Sequence, residues 1–358
     1  MHLAGHELWS SRVLHCLILR VALKGADIQG KTPKILSRHA ASREAGALVS
    51  TTGLTREGLP LAYSRGAAAD IAPWVQSLAA VDVDAGSKMR TCGFFSANPC
   101  IRVFLKGHWT FRTADGPRAF DTQDFNRTVY FGPQTREMPV EVTGPIRFLL
   151  LQFHPGAPPL DQSKRQEDYL DRIECFDEGL PPAIRNTRYD SSASREEWLD
   201  HFEGLTRQVL FSRVTEEPHP MALAVYRRLL VDPDLDLDGL AAQFGVSRRT
   251  VERQIRTSFG ISAKQATRRA RALDMAAALL GVAMPEEEAS FRLRYFDQSH
   301  LNREIQHFFG MTPGALARME AILLRIDLEI RQMRRLEALG ELGIDTPPWR
   351  DPDAEPDC

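Results

Sequence analysis

An internal repeat constrains this chain most. Val251, Ile255, Phe259 and Gly260 recur about 50 residues on as Leu301, Ile305, Phe309 and Gly310, and the match continues through Ile261 and Ser262 against Met311 and Thr312. In each copy the apolar residues fall at i, i+4 and i+8, a stripe that has to face a core. The glycine supplies a left-handed stop, and Ser262, or Thr312 followed by Pro313, caps the next helix. The spacing therefore predicts two helices of one design, each ending in the same way.

The faces opposite those stripes carry the functional signal. At 100° per residue, Arg249, Glu252, Arg253 and Arg256 share one line in the first copy, and Ser299, Asn302, Arg303 and Gln306 share its counterpart in the second. These side-chain types reach base edges and phosphates: Arg pairs with guanine, Asn or Gln with adenine, Ser with either, and Glu with the cytosine amino group. Upstream of the first copy, Leu240, Ala241, Phe244, Gly245 and Val246 describe a short helix and a tight turn, with Ser247 as cap, which is helix-turn-helix grammar. The second copy is less regular: Ala289, Ser290 and Leu293 precede Arg294, Tyr295 and Phe296, and Asp297 takes the cap position.

The net formal charge is −2 over 358 residues, so whole-chain charge does not point to a polyanionic partner. Local charge does. From Arg248 to Arg271 eight basic residues stand against one acid, Glu252, as expected where phosphates are neutralised.

The stretches LAAQFGVSRRTVERQIRTSFGIS (240–262) and YFDQSHLNREIQHFFGMTPGAL (295–316) resemble the AraC/XylS family of bacterial transcriptional regulators, the second string being the more specific. The resemblance implies a long helix, about Ala263 to Leu280, holding two helix-turn-helix units whose recognition helices enter successive major grooves. It implies base-facing roles for Arg249, Glu252 and Arg253 in the first unit and for Gln298, Ser299, Asn302 and Arg303 in the second. Arg256 shares the first stripe. Ser247, Arg248, Thr250 and His300 are read as caps or phosphate contacts. Two positions depart from the pattern: Arg294 stands where the family has Gly in the second turn, and Ser290 where it has Ala. A non-Gly residue held at positive φ costs on the order of 1 kcal/mol, so a distorted or weaker second unit is expected. The run Glu286 to Glu288 beside it opposes phosphate approach.

The fold class read from these patterns is α+β: a mainly-β, barrel-like N-terminal domain followed by an all-α DNA-binding module. Residues 1–65 lack periodicity and are expected to form a poorly ordered extension, which could lie upstream of the true start. A β-rich sensor or dimerisation domain is placed at 66–160, from Ile101–Leu105, His108–Arg112, Thr128–Phe131, Met138–Val142 and Ile146–Phe153 between turn residues. Residues 161–217 read as a linker and helical connection, 218–318 as the double helix-turn-helix, 319–345 as an amphipathic helix and 346–358 as a disordered tail. Ala72–Val75, GPQT (132–135) and FHPGA (153–157) resemble, more loosely, the effector or dimerisation domain of one branch of that family. On the C-terminal helix Met319, Leu323, Ile326, Ile330 and Met333 form a stripe that fits either a dimer seam or packing on the chain's own surface.

Enzyme chemistry finds little support. His108 and His154 are the only histidines of the β region and no H-x-H pair exists, against a cupin-type metal site. Nucleophile-elbow, Walker and dinucleotide fingerprints are absent from the sequence. His300 and His307 are too far apart for a helical metal pair. The five cysteines, Cys16, Cys92, Cys100, Cys175 and Cys358, are odd in number and contain no C-x-x-C, which suits a reducing cytoplasm. The run Val13–Leu23, interrupted by His15 and Arg20, is too short and polar to span a membrane. No catalytic residue, metal or cofactor is expected. The expected partner is double-stranded promoter DNA, with RNA polymerase, an unidentified small-molecule effector and a second copy of the chain as further partners the reading allows. The rival reading is a small-molecule-binding or enzymatic β domain with a helical module that docks protein partners.

Overall fold

The computed structural model describes residues 50–54, 60–83, 89–122, 126–157, 163–175, 187–190, 192–213, 216–283 and 285–344. Its N-terminal half is one antiparallel sheet of nine strands: β1 (Ser50–Leu54), β2 (Pro60–Gly66), β3 (Val75–Val83), β4 (Arg90–Phe94), β5 (Cys100–Thr113), β6 (Gly116–Asp121), β7 (Arg127–Phe131), β8 (Met138–Phe153) and β9 (Ile173–Cys175). The order runs β1-β2-β3-β8-β5-β7-β9, with β4 pairing the first half of β8 and β6 the second half of β5.

The long strands β5 and β8 pair with each other from Cys100↔Gln152 to Phe111↔Val140 and bend together. The register shifts between Phe104 and His108, where Gly107 adopts φ 98°, and the Cβ position of Gly144 (φ 89°) looks onto Gly107 at 3.8 Å. A side chain at Gly107 would collide with Trp109 and the Pro145 carbonyl, so the close crossing requires glycine there, while Gly144 is favoured by its positive φ. The bend folds the sheet over an aromatic interior of Phe94, Phe104, Trp109, Phe111, Phe131 and Phe148, in which neighbouring ring centroids lie 4.6–6.4 Å apart. The interior of the folded sheet is thus filled largely by aromatic side chains of its own strands. Its other face is covered by α1 (Arg195–Arg213), through Trp198, Leu199, Phe202 and Leu210.

The sheet is larger than the sequence texture suggests. β1 and all of β2 but Gly66 fall inside the segment expected to be poorly ordered, and β9 inside the expected linker. The inward residues of β2 are small, Ala62 and Ser64, so its alternation carries little hydrophobic contrast, and a three-residue strand such as β9 is too short to show a period. The remainder of 1–65 and the tail 346–358 lie outside the described residues.

Among the described residues eight further helices follow: α2 (Pro220–Val231), α3 (Leu237–Phe244), α4 (Arg248–Phe259), α5 (Ala263–Leu279), α6 (Pro285–Arg292), α7 (Gln298–Phe309), α8 (Pro313–Arg318) and α9 (Ile322–Glu341). One core joins α2, α3 and α4 with the start of α5, and a second joins the end of α5 with α6, α7 and α8. The stripe on α9 is no open seam. Leu323, Ile326 and Ile330 enter the core of the sheet, while Leu324 and Leu328 enter that of the second helical unit. The helix is wedged between two bodies, which is why even Asp327, Glu329, Gln332 and Arg335 on it are buried.

Two loops of the sheet dock on the helical module, and both carry motifs conspicuous in the sequence. In GPQT, the Gln134 carbonyl accepts from Arg269 of α5 at 2.8 Å. In FHPGA, Gly156 N–H donates to the Ser258 carbonyl of α4 at 3.0 Å, with Gly156 in the left-handed region. No helix among the described residues is long and apolar enough to cross a membrane.

Candidate nucleic-acid interface

Local capping sets the two units. Asp236 accepts from Gly239 N–H and starts α3, Gly245 at φ 64° ends it, and Ser247 accepts from Thr250 N–H to start α4. In the second unit Asp297 accepts from His300 N–H at 2.7 Å, and His300 Nδ1 accepts from Phe296 N–H at 3.3 Å, a reciprocal cap at the start of α7. α4 and α7 are both 12 residues long, and each ends in a glycine, at φ 70° and 69°, whose N–H returns to the carbonyl of Arg256 or Gln306. Their buried sets are Val251, Ile255, Ser258 and Phe259, against Leu301, Ile305, Phe308 and Phe309, in register as the repeat predicts.

The second turn differs from expectation. Arg294 does not adopt positive φ; Asp171 is the one non-glycine residue to do so among the described residues. Short-range bonds from Arg294 N–H to Phe291 and from Tyr295 N–H to Arg292 tighten the end of α6 instead, so no left-handed residue is required. The Arg294 guanidinium reaches Asp274 of α5 at 2.6 Å and lies over the Phe291 ring. Two acids of that run are likewise engaged within the protein: Glu287 accepts from Gln332 and Arg335 of α9, and Glu288 pairs with Arg292.

α5 fixes the two units to one another. Arg268 forms a two-pronged pair with Glu304 of α7 at 2.8 and 3.0 Å, and Tyr295 Oη donates to the Arg271 carbonyl at 3.1 Å. The hydrogen bond to Glu304 raises the Arg268 pKa. Burial works against ionisation of Glu304, but its pKa ends below the ordinary carboxylate value because Arg268 outweighs that penalty.

Between the units opens a groove of about 1080 Å³ with seven Arg or Lys side chains and two Glu among its sixteen lining residues. Arg248, Arg249, Glu252, Arg253, Arg256 and His300 of the sequence-derived set line it together. Gln298, Ser299, Asn302 and Arg303 do not; they stand exposed on α7 outside it, with Gln298 donating to Asn302 at 3.0 Å. Ser247 and Thr250 cap α4, and their hydroxyls lie 3.0 Å apart. Lys264, Arg268 and Arg271 also line the groove; the basic run contained them, but only the packing of α5 across both units brings them to this surface.

The cations differ in what holds them. Arg248 pairs with Asp238 and Glu252, which raises its pKa, the Glu252 hydrogen bond acting most strongly. Arg271 pairs with Asp234, and Arg256 with Glu167 of the 3-10 turn Gln166–Tyr169 that follows the sheet. Arg249, Arg253 and Arg303 make no ion pair among the described residues. Among the same residues no cluster of three or more His, Cys, Asp or Glu is placed to hold a metal ion.

Residues 240–319 match the family model described as a helix-turn-helix domain. Curated proteins return no match to the chain. Among solved structures, ToxT from Vibrio cholerae is similar at 8% identity and TM-score 0.41, covering 67% of this chain and 97% of that one. A ToxT structure with bound unsaturated fatty acid is similar at 11% identity and TM-score 0.39, covering 66% and 94%. The AraC-like transcriptional activator CuxR is similar at 12% identity and TM-score 0.25, covering 60% and 86%.

Proposed function

We propose that the chain is a sequence-specific, promoter-binding transcriptional regulator of the AraC/XylS type, whose helix-turn-helix domain at residues 240–319 reads DNA with α4 and α7. The observation that carries this reading is the basic groove between the two units, on whose wall Arg249 and Arg253 stand without a carboxylate partner among the described residues. A guanidinium already committed to a protein acid would have to exchange that partner on binding; these two are free to meet guanine or phosphate. Arg303 has the same freedom on α7, beside Gln298, Ser299 and Asn302. Arg248 and Arg256 are assigned to phosphates, where an existing ion pair can be exchanged without base selectivity.

We assign the sheet domain to regulation, because its loops dock at the C-terminal end of each recognition helix: Gly156 against Ser258, and Glu137, whose N–H donates to the Phe308 carbonyl at 2.8 Å. A signal that moved the sheet would move both heads. RNA polymerase at the bound promoter, and the cytoplasm as location, follow from this function.

Selection of binding sites from random duplex DNA by the full chain, followed by affinity of the winner across a salt series, tests the proposal. Two enriched blocks about one helical turn apart, with affinity falling steeply as salt rises, are expected. No enrichment would transfer the assignment to a protein-docking module.

A further inference from the structure

Resting on the DNA-reading proposal above, we infer that Phe296 is a base contact of the second head, its ring covering the 5-methyl group of a thymine. Phe296 is 94% exposed, the most open of the large apolar side chains among the described residues. It stands directly before Asp297, the cap of recognition helix α7, and its backbone is held on both sides. Tyr295 is buried with its hydroxyl on the Arg271 carbonyl, and Phe296 N–H donates to His300 Nδ1. A residue at this position commonly folds back onto the fourth residue of the helix. Here that residue, Leu301, is already sealed in the core of the helical module, and Phe296 is left outside.

The surroundings select the occupant. Tyr295 and His300, on either side of Phe296 in the chain, line the groove with seven cationic side chains, and the exposed Gln298 and Ser299 follow on the first turn of α7. A surface of that charge favours a polyanion over an apolar protein face. Within a major groove the apolar group available to a phenyl ring is the thymine methyl.

The test uses the full chain and the duplex it selects. In that duplex each thymine of the block weakened by Asn302→Ala is replaced in turn by deoxyuridine, which removes only the methyl group. One such replacement should weaken wild-type binding about fourfold, the value of one buried methyl group, and the Phe296→Ala variant should ignore it. Phe296→Ala should also lose the thymine preference at that position in a repeat selection, whereas Phe296→Leu should keep it. The exposed position leaves the fold intact in either variant, and the deoxyuridine series needs no variant at all. Indifference of the wild type to every replacement, an unchanged preference in Phe296→Ala, or an equal loss on all sequences would overturn the thymine contact while leaving DNA reading in place. Failure of the wild type to enrich any duplex would overturn both, and is told apart by the missing motif.

Discussion

Arg102 of β5 donates to Asp327 of α9 at 2.8 Å with both side chains sealed from solvent, a contact between residues 225 positions apart. The Arg102 guanidinium lies 3.7 Å from the Phe94 ring centre and 4.5 Å from that of Phe131, and Phe95 N–H donates to the same carboxylate at 3.0 Å. Phe95 in turn packs on Phe308 and Phe309 of α7, at 6.1 and 5.4 Å between ring centres. The carboxylate thus ties the interior of the sheet to the far end of α7.

Removing one partner of this pair should be costly, because the other charge is left buried. Asp327→Ala is expected to destabilise the chain by about 3–5 kcal/mol, read from urea denaturation. Replacing both partners, Arg102→Met with Asp327→Leu, should recover most of that loss. A double variant no more stable than the single one would show that shape, rather than stranded charge, sets the cost.

Arg294→Gly restores the residue common at this turn in the AraC/XylS pattern, yet it should weaken the protein. Asp274 is buried and is held by Arg294 at 2.6 Å and Arg331 at 2.7 Å, and the turn uses no positive φ that glycine would relieve. A loss of about 1–3 kcal/mol is expected for one partner of a buried charge. Thermal melting checks it, and a rise in Tm would contradict this account of the turn.

The two heads should fail separately on DNA. Arg253→Ala is expected to cost about 1–3 kcal/mol on the selected duplex and to relax preference within one block, and Arg303→Ala the same within the other. Fluorescence anisotropy against duplexes altered block by block would show it. Equal losses on cognate and random DNA would reassign these residues to phosphate.

Stability should respond to pH through two partly buried groups of opposite sign. Burial pushes the Glu137 carboxyl up to about 7, so the folded state holds its proton longer than the unfolded one, and stability falls as pH rises from about 4.5 through 7. Burial, with Arg227 and Arg334 adding to it, lowers His154 to about 4, so its contribution is lost as pH falls from about 6.5 through 4. Glu137→Gln should remove the first slope and raise stability at pH 8 relative to pH 4.5 by up to roughly 3 kcal/mol, leaving the rise due to His154. Urea midpoints across that range provide the measurement.

The sequence by itself determined the two matching helices α4 and α7. Their cores, caps and glycine stops depend on residues within about four positions of one another, a range that periodicity reports directly. The exposed Arg249, Arg253, Asn302 and Arg303 follow from the same period, since what lies opposite a buried stripe faces solvent. Only the tertiary structure decided what the C-terminal stripe packs against: Leu323 and Leu324 are neighbours in sequence but enter different cores, and a period shows that a face is buried without showing by what. It also decided that Arg294 could replace glycine, through Asp274 twenty residues away, and that Lys264, Arg268 and Arg271 would meet Tyr295 and His300 across one groove. Each of these rests on contacts between distant segments, and the chain's local pattern holds no record of them.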